Sequence, residues 1–274
     1  MSRRAVLLFV LLATTAFSLL LVFREYHGDR LFYNGSTTPS TASTGGGGMR
    51  RALIVDGIRG VRSTGNFTDE ARKLLEGLGY TVDVVQGEEV EVGFLLSVGH
   101  YDIYVLRLHS AVHDGTLYVF SGELYAESKY TLEQLTGMVR KAYVLSGDEP
   151  PYFALNAVFL GARNPDGLRN SIVILMGCCG ARDQLFIRAL LERGVKAYIA
   201  WDGYVSIAHS DKATLELLKA LIRDRLSPEE AVGKAMEIAG PDPVYGARLH
   251  CFVSQGSDLP RRNSTGRFAG SVKP

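Results

Sequence analysis

Two short segments carry the side chains best suited to covalent chemistry. His109 follows the apolar run 102–108, and Cys178 and Cys179 follow the apolar run 171–177. A cysteine attacks as the thiolate, which an imidazole within reach generates by taking the thiol proton. A redox or thiol-ligand site built on the two adjacent cysteines is a further alternative. The sequence therefore offers a nucleophile and a base, provided that the fold brings them together.

The residues alone also allow a structural role for the two cysteines. Free cysteine is among the most buried residue types, so Cys178 and Cys179 could simply fill space beside a sheet. A disulfide between these neighbours is a further alternative. A zinc site with His109 is disfavoured, because adjacent cysteines lack the spacing typical of zinc ligands. His113 could replace His109 as a base, but it lies farther from the strand end.

Short apolar segments alternate with helical patterns between residues 52 and 239. This alternation predicts an α/β fold with a mainly parallel central sheet covered by helices on both faces. The predicted strands are 52–56, 80–85, 102–108, 116–121, 171–177 and 195–201. The most apolar of them, 171–177, should be central. Because ligands bind beyond the carboxyl ends of parallel strands, function should be sought in the residues that follow these strands.

Polar side chains that can accept a backbone N–H mark the helix starts. The clearest is Ser227 as N-cap, followed by Pro228 at the first helical position and Glu230 at the third. A second capping box is predicted for Thr131 and Gln134. The remaining starts are predicted at Thr68, Asp183 and Ser210.

Composition excludes several classes of protein. The chain has 274 residues with 30 Lys+Arg against 29 Asp+Glu, a balance that argues against nucleic-acid binding. Residues 49–255 carry 22 basic and 26 acidic residues, a net charge of −4, which favours neutral or cationic ligands. Three cysteines are too few for a disulfide scaffold. Neither glycine-rich phosphate-binding motif is present, so most nucleotide-binding functions are excluded.

The ends of the chain differ from its middle. Residues 5–23 are uncharged and apolar, and as a helix they would span roughly 28 Å, close to the bilayer core. Two arginines within residues 1–4 favour a cytoplasmic N-terminus, so we expect a single-pass anchor with the folded domain outside the cytoplasm. A cleaved signal peptide, and hence secretion, is the alternative. Residues 24–48 predict a Ser/Thr/Gly-rich linker, 49–255 the folded domain, and 256–274 a flexible tail.

The order of these motifs resembles the caspase-like (clan CD) cysteine peptidases, in particular gingipain-type peptidases and CHAT domains. The matching features are a strand ending at His109, a hairpin containing residues 121–123, a capped helix at Thr131 and a strand leading to Cys178. Residues 188–201 and the two closing helices are also similar to CHAT domains. The resemblance covers nearly all of the folded region. It implies a three-layer caspase-like sandwich with a mainly parallel central sheet.

The same resemblance implies roles for individual residues. Cys178 would be the nucleophile, His109 the general base, and the backbone N–H groups of Ser110 and Cys178 the oxyanion hole. Ser110 departs from the family, which usually has glycine after the histidine. Met176 also departs, because several relatives have a polar or acidic specificity residue there. The family's usual P1 preferences are therefore not carried over directly.

Four further residues follow the outer strands and would bind substrate together with Met176. They are Asp56, Trp201, Asp202 and Tyr204. By analogy with gingipains and metacaspases, an aromatic wall with one or two carboxylates suits Arg or Lys at P1. The structural alternative is that the two aspartates cap turns and the two aromatic side chains pack on the sheet edge.

We therefore expect a membrane-anchored extracytoplasmic cysteine endopeptidase with a Cys178–His109 dyad, acting on peptide or protein substrates. The resemblance implies no cofactor and no metal. The departures at Ser110 and Met176 motivate an alternative, a catalytically inactive caspase- or CHAT-like binding or scaffold domain. A redox or thiol-ligand site at the two adjacent cysteines is the third hypothesis.

Overall fold

The computed structural model describes residues 49–58, 66–144 and 150–254. The strands are β1 (Arg50–Asp56), β2 (Tyr80–Gln86), β3 (Ile103–Arg107), β4 (Ser110–His113), β5 (Thr116–Leu124), β6 (Val139–Ala142), β7 (Tyr152–Asn156), β8 (Ile172–Leu175), β9 (Ala197–Trp201) and β10 (Leu249–Val253). The α-helices are α1 (Phe67–Gly77), α2 (Val92–Leu96), α3 (Thr131–Leu135), α4 (Gln184–Glu192), α5 (Ile207–Leu218) and α6 (Pro228–Ala239). Short helical turns occupy Gly87–Glu89, Ala157–Phe159 and Lys219–Arg223.

The main sheet has six strands in the order β10-β9-β8-β3-β1-β2. All neighbouring pairs are parallel except the edge pair of β9 and β10, which is antiparallel. The predicted α/β fold with a mainly parallel sheet is thereby confirmed. Strand β8 lies beside β3 in the middle of the sheet, as the apolar character of its residues predicted.

The main sheet buries side chains on both faces, because successive residues of a strand point in opposite directions. On one face Ile54, Val105 and Ile174 pack with apolar residues of α1, α5 and α6. On the other face Leu53 and Leu175 pack with residues of α2, α4 and a second sheet. These two cores pack the strands against their helices. The carboxyl ends of the strands are therefore held in fixed positions.

The second sheet is antiparallel, with the strand order β4-β5-β7-β6. Strands β4 and β5 form a hairpin whose turn residues, Asp114 and Gly115, both have positive φ. The hairpin strand predicted at 116–121 is confirmed and extends to Leu124. The sequence did not predict the other three strands of this sheet. In β6, for example, the neighbours Arg140 and Lys141 are both exposed, so no apolar alternation marks the strand.

One predicted capping box and one predicted helix start are wrong. Thr131 forms no capping box: Tyr130 occupies the N-cap position in the left-handed conformation, without a side-chain cap. The Gln134 side chain instead bonds Lys129 O and the Tyr125 hydroxyl. Helix α5 begins at Ile207, before the predicted Ser210. The capping box at the start of α6 is confirmed, with hydrogen bonds in both directions between Ser227 and its glutamate partner.

Several predictions fall outside the described residues. They are the anchor or signal segment 5–23, the linker 24–48 and the tail 256–274. Among the residues that are described, no helix is both long enough and apolar enough to cross a bilayer.

Candidate active site

The ends of β3 and β8 bring His109 and Cys178 to one place. The two strands are parallel neighbours with Leu106 opposite Leu175, and each candidate residue stands three positions beyond this pair. Both side chains line the same small cavity. The parallel register therefore delivers the base and the nucleophile to adjacent positions at the carboxyl edge of the sheet.

The close approach of the two strand ends depends on Gly177. A Cβ at this position would lie 2.5 Å from Leu108 O and 3.0 Å from Ser110 N, both backbone atoms. The Ser110 hydroxyl also donates a hydrogen bond of 2.7 Å to Cys178 O. Because residue 177 is glycine, the loop after β8 can pack directly against the loop after β3. The backbone of Ser110 consequently lies beside that of Cys178, as the predicted oxyanion hole requires.

The thiol of Cys178 is partly buried. Its Sγ lies 3.8 Å from Val205 O, which is within reach of a weak S–H···O hydrogen bond. Burial raises the pKa of this thiol above its usual value, and the negative charge of Asp242 raises it further. The backbone of Val205 offsets part of this rise. The resting thiol is therefore protonated near neutral pH, and attack requires a base.

The candidate base packs against an aromatic ring. The His109 imidazole lies 6.1 Å from the Phe120 ring, centroid to centroid, and is tilted 59° to it. Phe120 belongs to β5 and also fixes the backbone, because its N–H donates to His109 O at 2.9 Å. The hairpin of β4 and β5 thus holds both the main chain and the ring of His109.

Cys179 has a different setting from its neighbour. It is buried, its φ is 59°, and its N–H donates to Gly203 O at 2.8 Å. Burial raises the pKa of its thiol, and the nearby Arg182 lowers it. Cys178, Cys179 and Cys251 are all free thiols, so the two neighbours do not form a disulfide. Of the two adjacent thiols, only Cys178 lines the cavity with His109.

A buried ion network lies beside the cavity and was missed by the sequence analysis. The Arg107 guanidinium, 3% exposed, binds Asp56 through one nitrogen at 2.8 Å. Two other nitrogens bind Asp211 of α5 at 2.8 and 3.0 Å. Thr68 donates to Asp56 at 2.7 Å. This network joins the ends of β1 and β3 to the first turns of α1 and α5.

Ser210 provides a second set of hydrogen bonds between α5 and the main sheet. Its hydroxyl donates to Met176 O at 2.9 Å and accepts from the Trp201 indole N–H at 3.0 Å. Ser210 and Asp211 together contact residues at the ends of β1, β3, β8 and β9, either directly or through Arg107. The early part of α5 therefore fixes the edge of the sheet on which the candidate site stands.

The structure separates the five residues predicted to bind substrate. Met176 lines the cavity, whereas Asp56 is turned to Arg107 and Thr68. Trp201 has no exposed surface. Asp202 accepts one hydrogen bond from Arg248 N and pairs with His250 at 2.9 Å. Tyr204 is exposed and lies near Tyr245, with ring centroids 6.0 Å apart and the rings tilted 51° to each other. Of the five, only Met176 adjoins His109 and Cys178 in the cavity.

A signal for the ion network was present in the sequence. Arg107 is the single charged residue inside the otherwise apolar run 103–108. A buried guanidinium must be paired, so this position called for carboxylates at neighbouring strand ends. Asp56, at the end of the predicted strand 52–56, could be recognised from the sequence as one partner. The second partner, Asp211, is 104 residues away in the sequence, and only the packing of α5 identifies it.

The comparisons give no family assignment: no protein-family model matches the chain, and no curated protein is similar to it.

Proposed function

We propose that this protein is a caspase-like cysteine endopeptidase that uses Cys178 as nucleophile and His109 as general base. The observation that carries the proposal is the shared cavity of these two residues at the ends of two adjacent parallel strands. A three-layer caspase-like sandwich is part of the same proposal. It is supported by the parallel sheet with helices on both faces and by the hairpin after β3.

The chemistry would be acyl transfer in two steps. His109 takes the thiol proton as the Cys178 sulfur attacks the peptide carbonyl carbon, and it then passes this proton to the leaving amine. A thioester of Cys178 remains. Water, deprotonated by His109, attacks the thioester, and the departing sulfur recovers the proton. The N–H groups of Ser110 and Cys178 would stabilise the oxyanion in both steps.

A preference for basic P1 residues is supported by charge. Asp56, Asp211 and Arg107 together carry one excess negative charge when ionised, and Asp211 lines the cavity. An approaching Arg or Lys side chain would meet this charge in a site with little water. Asp211 thus takes over, in the proposal, the role that the sequence analysis gave to Asp56.

The remaining parts of the proposal concern location. The apolar stretch 5–23 and the linker 24–48 support a membrane anchor with the enzyme domain outside the cytoplasm, or a secreted enzyme if the stretch is cleaved. The substrate is then a peptide or protein that reaches the extracytoplasmic side.

A second candidate function is a caspase- or CHAT-like binding domain without peptidase activity. Two observations favour it. The resting cavity has a volume of only about 20 Å³, and burial raises the pKa of the Cys178 thiol. A protein that never forms the thiolate needs neither a larger cavity nor a thiol of lowered pKa.

Peptide chloromethyl ketones with Arg, Asp or Leu at P1 separate the two functions. The full-length chain is incubated with each probe, and the adduct is mapped by mass spectrometry. We expect labelling of Cys178, fastest with the Arg probe, and its loss in His109→Ala. The matched control is His113→Ala, which removes an exposed histidine of the adjacent hairpin and should label normally. If no probe labels Cys178, or if His109→Ala labels as fast as the wild type, the enzyme proposal fails.

A further inference from the structure

The segment 202–206, here called the β9 loop, forms one wall of the candidate site. Val205 lines the cavity, and its carbonyl oxygen lies 3.8 Å from the Cys178 sulfur. Gly203 O accepts the backbone N–H of Cys179. The β9 loop therefore contacts both adjacent cysteines, one through its thiol and the other through its main chain.

The resting cavity is too small for a substrate side chain. Its volume of about 20 Å³ holds about one water molecule. The walls nearest the thiol are the ends of β3 and β8, which the sheet fixes, and the β9 loop. Cys178 is only partly exposed, and displacement of the β9 loop would uncover more of its thiol. The contacts that hold the β9 loop consequently determine how accessible the thiol is.

The β9 loop is held by the segment 240–248, which precedes β10. Asp202 N donates to Arg248 O at 3.1 Å, and Arg248 N donates to the Asp202 carboxylate at 2.9 Å. At Gly203 the two backbones come close, since a Cβ there would lie 3.3 Å from Ala247 Cβ. The far end of the loop is fixed by a single side chain, Asp242.

Asp242 is 2% exposed and accepts four hydrogen bonds. Two come from Ser206, from its N–H at 2.9 Å and its hydroxyl at 2.6 Å. The other two come from the N–H groups of Val244 and Tyr245, at 2.9 and 2.8 Å. One oxygen of the carboxylate holds the β9 loop, and the other holds its own turn. No other described side chain hydrogen-bonds Ser206.

We propose that Asp242 is a positioning residue that keeps the β9 loop closed over Cys178, and that release of this contact admits the substrate. The proposal rests on the proposed peptidase function, because it identifies what controls access to that same thiol. Asp242 touches neither the thiol nor the cavity wall directly. Its effect passes through Ser206 to the neighbouring Val205.

The electrostatic effect of Asp242 acts in the same direction as its tether. Burial raises the pKa of the Cys178 thiol, the Val205 backbone lowers it, and the charge of Asp242 adds a further, smaller rise. Removing the charge and opening the loop should therefore favour the thiolate. The other charged or titratable groups facing this thiol from the surrounding elements are His109, Arg107, Asp211 and Cys179.

Iodoacetamide alkylation of the full-length chain tests this proposal without requiring turnover. Rates at Cys178 and Cys251 are measured by mass spectrometry between pH 6 and 10. In Asp242→Asn we expect alkylation of Cys178 at pH 7 to be about tenfold faster, with a lower pH midpoint. Ser206→Ala should shift the rate in the same direction by less. Glu237→Gln, which removes an exposed carboxylate of α6, is the matched control and should change nothing.

The alkylation rate of Cys251 distinguishes opening of the β9 loop from unfolding of the whole domain. Its alkylation should stay slow in every variant, since burial raises the pKa of its thiol to about 12. An unchanged or slower rate at Cys178 in Asp242→Asn overturns the proposal. If both thiols accelerate together in Asp242→Asn, Ser206→Ala decides: faster alkylation of Cys178 alone supports the proposal, and any other result overturns it. The chloromethyl ketone experiment can fail independently, because it compares the wild type with His109→Ala, and Asp242 and Ser206 are the same in both proteins.

Discussion

Replacing Arg107 by methionine tests whether the buried ion network fixes the carboxyl edge of the sheet. The change keeps an apolar stem in a strand position that is 3% exposed, but it removes a guanidinium that makes three hydrogen bonds. Asp56 and Asp211, with side chains 11% and 13% exposed, would then face each other without a cation. Breaking a buried pair in this way costs about 3–5 kcal/mol of unfolding free energy, which corresponds to a fall of roughly 10 °C in Tm.

The chain contains its own probe for this measurement. Trp201 is the single tryptophan, is fully buried, and bonds Ser210, the residue next to Asp211. Urea unfolding followed by its fluorescence gives the free energy of unfolding. Arg72→Met, which breaks an exposed pair with Glu76, is the control and should leave the midpoint unchanged. A loss below about 1 kcal/mol in Arg107→Met would show that the network does not stabilise the sheet edge.

Two further predictions concern the backbone contact at the site and the pH dependence of stability. Gly177→Ala should abolish labelling of Cys178 by peptide chloromethyl ketones, because the new Cβ would lie 2.5 Å from Leu108 O and push the strand ends apart. Gly233→Ala, where the space is open, should label normally, and equal labelling of both variants would contradict this reasoning. Burial raises the pKa of Cys251 from 9.0 to about 12, so above pH 9 the unfolded chain loses this proton while the folded chain keeps it. The free energy of unfolding should therefore fall as the pH rises from about 9 to about 12. Urea unfolding of Cys251→Ala should show a smaller fall over the same range. Parallel pH profiles for the wild type and this variant would refute the prediction.

The main sheet was predictable because its strands carry a strong local signal. The run at 172–175 is uninterrupted and apolar, and it forms the central strand β8. The second sheet carried a weaker signal. Its strand β6 has four residues, two of them exposed and charged, and it exists because it pairs with β7. Pairing with another strand leaves little trace in the composition of a short strand.

Local capping rules succeeded at Ser227 and at Asp183, which caps α4 through two backbone N–H groups. Ser227 and Glu230 are exposed and bond each other, so the predicted box forms. Gln134 had the same spacing from Thr131, but its amide is taken by Tyr125 and Lys129. Ser210 was predicted to start a helix, yet its hydroxyl is used by Met176 and Trp201 inside that helix. In both failures the side chain predicted to cap the helix makes other hydrogen bonds instead.

By itself the sequence determined the parallel sheet and the candidate pair, since His109 and Cys178 each follow an apolar strand by a few residues. Only the tertiary structure decided which polar groups surround this pair. Strand register aligned the two residues, and the packing of α5 gave Arg107 its second carboxylate. The same packing buried Trp201, and the segment before β10 placed Asp242 behind the β9 loop. Local sequence specifies the direction and burial of a strand. The second partner of the buried Arg107, in contrast, comes from a helix 104 residues away in the sequence, so only the tertiary packing identifies it.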